Sequence, residues 1–175
     1  MKAVNYSEGR VNVIDAPKPT GDGILVKISS CGICGTDMDM LHNKGHFSHI
    51  AGHEMSGRLT DGTLVAIEPL EYCGGCSECK SGNYNLCSNE KFQMIGLTSN
   101  GGMAEQIIVP EHCLVKLDQE IDPTTSCLIE PIAVAVHGYV ITQTQSNHRV
   151  AVVGGGSIGP VSYTHLTLPT SHNVG

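Results

Sequence analysis

Short apolar runs separated by glycine and proline fill the first 110 residues of the chain. Residues 3–6 and 11–14 are short strand-like runs that flank Ser7-Glu8-Gly9-Arg10, which predicts a β-hairpin. Pro17, Pro19, Gly21 and Gly23 predict a loop, and the apolar run after them predicts a strand over residues 24–28. Further strands are expected over 55–59, 64–67 and 104–109, with Gly62 and the Gly101-Gly102 pair at turns. Several short strands with glycine-rich turns predict a small β-barrel. The pattern changes near Asp122-Pro123. Residues 127–141 read as a helix, with Ile129, Ile132, Ala133, Val136 and Val140 close to one face. Arg149 then leads the apolar run Val150-Ala151-Val152-Val153 into Gly154-Gly155-Gly156-Ser157-Ile158-Gly159. A buried parallel strand followed by a glycine-rich turn is how a doubly wound dinucleotide-binding sheet begins.

Composition narrows the class. A length of 175 residues suits one domain, or one domain with part of another, and 40% hydrophobic content is enough to build a core. No apolar run reaches the roughly 20 residues that span a bilayer, and the N-terminus reads as a first strand and not a signal peptide, so a cytoplasmic protein without a membrane partner is expected. Eight cysteines admit either disulfides or metal sites; their spacing and the absence of a leader favour metal binding in a reducing compartment. The net charge of −7 opposes nucleic-acid binding, which needs a basic patch. Charge is uneven: all 17 acidic residues lie at or before Glu130, and beyond it Arg149 is the only formally charged side chain. Such a stretch is either the start of a larger buried core or partly non-native sequence.

Two groups of residues carry metal-binding chemistry. Cys73, Cys76, Cys79 and Cys87 sit in a short polar lobe with Gly74, Gly75 and Gly82 at its turns. Four converging thiolates suit a closed tetrahedral zinc site, which stabilises a loop that has little apolar surface to bury. Unpaired core cysteines or disulfides are the plainer alternative. Upstream, Cys34, His53 and Glu54 offer mixed ligands, as a catalytic zinc with a free coordination position requires. A lone cysteine after a strand is more often a packing residue, so the case rests on its pairing with Gly52-His53-Glu54. Asp37 could orient a ligating histidine or cap a turn. Glu130, flanked by Ile129 and Pro131, needs a partner if buried, and a cation is one; a helix-start glutamate is the alternative. Cys31, Cys113 and Cys127 lack ligand-like spacing and read as packing residues. His42, His46 and His49 fall in a polar loop, where solvation is the default. Gly154, Gly156 and Gly159 would let a pyrophosphate approach the backbone and a helix N-terminus.

These motifs, taken in order with Gly101-Gly102-Met103-Ala104-Glu105 and the run from Glu130 to His137, resemble the zinc-dependent medium-chain alcohol and polyol dehydrogenases, in particular the sorbitol, butanediol and threonine dehydrogenase branch. The resemblance covers residues 1 to about 160. It implies a GroES-like β-barrel catalytic domain over residues 1–122, then over 123–160 the truncated start of an α/β Rossmann domain that binds NAD or NADP. It implies Cys34 and His53 as catalytic zinc ligands, Glu54 and Glu130 as acids at or beside that zinc, and Thr36 as the proton relay. It also implies two zinc ions per subunit, a small alcohol or polyol as substrate, and a homo-oligomeric full-length form. Asp39 stands where many members have histidine. A zinc-binding interaction module without catalysis, or a zinc-free reductase on the same barrel, would leave one or both metal sets unexplained.

The end of the chain reads differently. Pro169 and three threonines oppose the helix that should follow Gly159, and residues 161–170 match one reading frame of a transposase-type library adapter. Residues 161–175 are therefore expected to be a non-native translated tail, with His165 and His172 playing no role, and the 175-residue chain is expected to be an inactive fragment.

Overall fold

The first strands need only a two-residue link. In the computed structural model, which describes residues 1–43, 49–145 and 147–167, β1 (Lys2–Ser7) and β2 (Arg10–Asp15) pair antiparallel around Glu8-Gly9. Both linking residues have positive φ, 54° and 73°, the geometry of a type I′ turn. The turn is thus tighter than the four residues the sequence predicts.

The chain divides into two compact units, Met1–Leu128 and Ile129–Gly175. The first is built on a five-stranded antiparallel sheet in the order β8-β3-β4-β5-β9. Its strands are β3 (Ile24–Cys31), β4 (Met55–Arg58), β5 (Leu64–Ile67), β8 (Gln106–Val109) and β9 (Leu114–Lys116). Two short strands, β6 (Leu70–Glu71) and β7 (Gln93–Met94), pair with each other. Val26, Met55, Val65, Ile67, Ile95, Ile107, Val109 and Cys113 form the core beneath the sheet. Strand β5 is buried on both faces, as its unbroken Leu-Val-Ala-Ile run implies. The register of β3 on β4 slips by one residue between Ile28 and Ser30, a β-bulge, after which Ser30 faces Ser56 and Cys31 faces Met55.

Helix α1 (Gly35–His42) was not expected from the sequence. Its start is fixed by Asp37, whose Oδ2 accepts the Cys34 N–H at 2.8 Å. Helix α2 (Ser77–Lys80) is a single turn inside the cysteine lobe.

In the second unit, α3 (Ile129–Ile141) begins two residues later than expected, after a 3₁₀ turn at Ser126–Leu128. Its buried residues are Pro131 and Ala135, whereas Val136 and Val140, on the predicted apolar face, are exposed. Residues 149–153 form no strand, and Val153 is 96% exposed. A parallel strand of this kind is stable only with neighbours on its edges, and among the described residues none pairs with this segment. Conversely, α4 (Ile158–Thr167) is helical where the sequence opposed it. Pro160 falls in the first turn, where a missing N–H costs nothing, and the Thr164 hydroxyl turns back to the Pro160 carbonyl at 2.9 Å. Pro169 lies outside the described residues. No helix among the described residues is long and apolar enough to cross a membrane.

Candidate metal centres

The cysteine lobe closes on itself. Its helical turns, α2 and a 3₁₀ turn at Tyr84–Leu86, bury no residue, so apolar burial cannot hold it. The four sulfurs of Cys73, Cys76, Cys79 and Cys87 lie within 4.8 Å of one another. Individual separations are 3.6 Å for Cys73–Cys87, 3.9 Å for Cys73–Cys79 and 4.0 Å for Cys76–Cys87. A tetrahedron with Zn–S bonds of about 2.3 Å has edges of about 3.8 Å, so these separations match a ZnS₄ shell. They are far too long for disulfides, and all eight cysteines of the chain are free. Backbone N–H groups of Cys79 and Ser88 aim at Cys76 and pull its thiol down to about 6, and those of Gly75 and Cys76 lower Cys73. Desolvation and the neighbouring thiols push Cys79 up to about 12. The metal-free knot therefore favours thiolate at some positions and opposes it at others; a dication at its centre favours it at all four.

The second centre is assembled by strand pairing. Strand β3 ends at Cys31, next to the start of β4, so antiparallel pairing brings the segment that follows β3 against the segment that precedes β4. Gly32 N–H donates to the Glu54 carbonyl at 2.7 Å. A Cβ on Gly32 would overlap Glu54 Oε2, so glycine there leaves the room the carboxylate occupies. Cys34 caps α1, and its sulfur lies 3.7 Å from the Thr36 hydroxyl. Ligand atoms of Cys34, His53 and Glu54 fall within 4.8 Å of one another. Below them, Gly52 holds φ +96°, and a Cβ there would meet Cys31 Sγ and Met103 Cγ at 2.6 Å.

The electrostatics of this pocket favour a cation. Asp37 and Glu54 are buried, 1% and 5% exposed, and neither forms an ion pair among the described residues; the Lys2–Asp15 pair is at the surface. Buried carboxylates without a cationic partner are costly. Asp37 Oδ1 and His53 Nδ1 are likewise buried without a hydrogen-bond partner among the described residues. Burial raises the Cys34 thiol, the Thr36 N–H and hydroxyl lower it, and the Glu54 carboxylate raises it again. Cys34 is only half-buried, and Ile33 and Thr36 are exposed, which leaves one side of the group open to a further ligand. This donor set fits a zinc with a vacant position.

The remaining sequence candidates lie on other elements of the chain. Glu130 opens α3 in the second unit. Gly154 and Gly156 are exposed, Gly154 holds φ +109°, and Gly159 sits in the first turn of α4, where a Cβ would overlap the Gly154 carbonyl. A glycine loop thus runs into a helix N-terminus, as the motif predicts. Cys113 and Cys127 are buried packing residues. His42 ends α1, and burial lowers the half-buried His49 imidazole; His46 and His172 lie outside the described residues. A groove of about 670 Å³ takes in His49 but none of Cys34, His53 and Glu54.

One closed group of four thiols and one open mixed-ligand group are thus carried by a unit built on an antiparallel sheet. Residues 20–119 match the model of the alcohol dehydrogenase GroES-like domain, and the chain belongs to that family. It is 35% identical over 91% of its length to the galactitol 1-phosphate 5-dehydrogenase of Escherichia coli (strain K12), and covers 50% of that protein. It is 37% identical over 83% of its length to the L-galactonate-5-dehydrogenase of the same organism, and covers 46% of it. The crystal structure of galactitol-1-phosphate dehydrogenase from Escherichia coli superposes with a TM-score of 0.86 at 32% identity, over 95% of this chain and 52% of that one. A putative zinc-binding dehydrogenase from Sinorhizobium meliloti 1021 bound to NADP gives 0.80 at 32% identity, over 94% and 52%. The chain thus spans about half the length of the curated relatives it matches.

Proposed function

We propose that the whole protein is an oxidoreductase that transfers hydride between a secondary alcohol of a polyol or related sugar derivative and NAD or NADP. The observation that carries this reading is the convergence of Cys34, His53 and Glu54 beside an exposed Thr36 hydroxyl. In this reading Cys34, His53 and Glu54 hold a catalytic zinc, with Glu130 as a further acid, and Cys73, Cys76, Cys79 and Cys87 hold a second, structural zinc. Gly154, Gly156 and Gly159 cradle the pyrophosphate of the coenzyme. The polyol class follows from the relatives, which act on galactitol 1-phosphate and L-galactonate by name.

Zinc bound in the open group supplies Lewis acidity, which can lower a coordinated water's pKa from 15.7 to about 7. The chain's own residues supply position and proton transfer. Asp37 holds the Cys34 backbone and so the direction of its sulfur. Thr36, exposed two residues beyond Cys34, would relay the proton of the substrate hydroxyl, accepting it on Oγ1 as its own hydroxyl proton passes to water. Cytoplasmic location, two zinc ions per subunit and a homo-oligomeric assembly complete the reading. The domain division proposed is residues 1–122 for catalysis and 123–160 for the start of the coenzyme domain, with 161–175 non-native.

The full-length protein, screened with polyols, polyol phosphates, diols and threonine against both coenzymes, tests this directly. Turnover of a polyol with two bound zinc ions supports the reading. One zinc and no turnover points to a zinc-binding module instead. The 175 residues alone, whose 149–153 segment joins no sheet, are expected to turn over none of these substrates.

A further inference from the structure

Three serines far apart in sequence meet where the open metal group is assembled. Ser30 Oγ lies 2.9 Å from Ser56 Oγ, and Ser56 Oγ lies 2.6 Å from Ser126 Oγ. Ser30 and Ser126 also reach the Pro123 carbonyl, at 2.8 and 2.9 Å. The four oxygens form a closed ring. Ser30 and Ser126 donate to the Pro123 carbonyl, so the single Ser56 proton goes to one of its two serine neighbours at a time, and the Cys127 N–H adds a donor to Ser30 at 3.3 Å. Ser56 and Ser126 are 0% and 1% exposed, so water cannot replace these bonds without opening the core.

The ring's position gives it a consequence for the metal group. Ser30 is the first paired residue after the bulge in β3, and its partner across the strands is Ser56. Without the bulge, Ser29 would face Ser56 and every later residue of β3 would shift by one relative to β4. Cys34 follows Ser30 by four residues, and His53 and Glu54 precede Ser56 by three and two. A one-residue slip in pairing reverses the faces of all following side chains. The same ring ties the 123–126 turn to both strands.

We propose that Ser30, Ser56 and Ser126, closed on the Pro123 carbonyl, are positioning residues that lock the bulged β3–β4 register and thereby set the geometry of the Cys34–His53–Glu54 group. The proposal rests on reading that group as a metal site. Bulges next to active sites commonly re-aim a side chain, and the 10–100-fold loss typical when a group bonded to a metal ligand is removed sets the scale for a ligand moved out of place.

The test uses the full chain with Ser30→Ala, Ser126→Ala and the hydroxyl-keeping Ser30→Thr, which is conservative at a half-buried strand position. Zinc affinity is read by competition with a chromogenic chelator, and the open group by the visible spectrum of its cobalt(II) form. The expected result is at least a tenfold weaker open site and an altered cobalt spectrum in both alanine variants. The four-thiolate site should keep its metal in each, a far-UV circular dichroism spectrum and urea midpoint close to wild type show that the variants have folded, and Ser30→Thr should stay near wild type. Wild-type affinity and spectrum in the alanine variants would overturn the proposal. If the wild type binds no metal at Cys34, the metal reading fails, and amide exchange at Gly32, whose N–H bonds the Glu54 carbonyl, then decides the register lock alone. At least tenfold faster exchange in Ser30→Ala than in Ser30→Thr supports it; equal exchange overturns it.

Discussion

Two glycines with nearly the same backbone angle make a controlled experiment. Gly52, just before His53, has φ +96°, and Gly62, in the turn between β4 and β5, has φ +91°. Alanine at either position adopts a left-handed conformation at a cost of about 1–2 kcal/mol. Their surroundings differ. A Cβ at Gly62 meets nothing within 4 Å, whereas at Gly52 it meets Cys31 Sγ and Met103 Cγ at 2.6 Å and the Met103 backbone nitrogen at 3.0 Å. The side-chain atoms could give way, but the backbone nitrogen donates to the Ala51 carbonyl at 2.9 Å and is held there. Overpacking of this kind adds about 1–3 kcal/mol. Gly62→Ala should therefore cost about 1–2 kcal/mol, and Gly52→Ala about 2–5 kcal/mol. The chain has no tryptophan, so urea unfolding is best followed by far-UV circular dichroism. Equal losses from the two substitutions would refute the idea that close contact beneath His53 requires glycine at position 52.

The other expectations concern the metal groups and a core thiol. Chelation of the metal should free the cysteine lobe alone: tryptic cleavage at Lys80 and fast amide exchange over residues 73–87 should appear while β3–β5 stay protected, and a lobe equally protected without metal would contradict its dependence on the ion. His53→Gln and Cys34→Ser should each remove one of two zinc ions and abolish turnover in the full-length protein while leaving the lobe's zinc in place; elemental analysis with activity measurement checks this. Cys113, 0% exposed, donates to the Leu70 carbonyl at 3.5 Å, and burial, then Glu71 and Glu68, push its thiol from 9.0 to about 12. Folding thus favours its protonated form, so stability present below pH 9 is lost as pH rises from about 9 to 12. Cys113→Ser, which does not titrate there, should show a shallower alkaline decline in urea midpoint; an unchanged decline would assign it to other groups.

The cysteine lobe was legible because its four ligands lie within one short segment, where spacing alone limits geometry. The open group was legible only as two separate pieces, and what joins them is the pairing of Cys31 with Met55, a long-range fact that local pattern does not carry. Helix α1 was missed because Gly35-Thr36-Asp37 has little intrinsic preference for helix; its start depends on one carboxylate reaching a cap. Strands β6 and β7 have two residues each, too few for alternation to register. Apolar pattern misled where it described surfaces that need a partner: Val136 and Val140, on the periodic face of a helix, and Val153, in a continuous apolar run, are exposed. The serine ring left no trace in the sequence, because its members are 26 and 70 residues apart and serine is common in turns.

The two metal groups depend on the fold in opposite directions. In the lobe, no helical residue is buried, and the sulfur separations match those of a ZnS₄ shell, so a bound ion would be the main element holding the local structure. In the open group, the strands flanking the candidate ligands are anchored by a core that includes Val26, Met55 and Val65, so apolar packing positions them. An open site needs this arrangement. A ligand set that relied on the metal to gather it would close around the ion and leave no position for substrate, whereas ligands anchored at strand ends can stay apart. Glycine at 32 serves the same end, since it leaves the space that the Glu54 carboxylate occupies, and glycine at 52 permits the close approach of Cys31 and Met103 just before His53. Changes to sheet register should therefore disturb the open group and spare the lobe, and mild chelation should do the reverse.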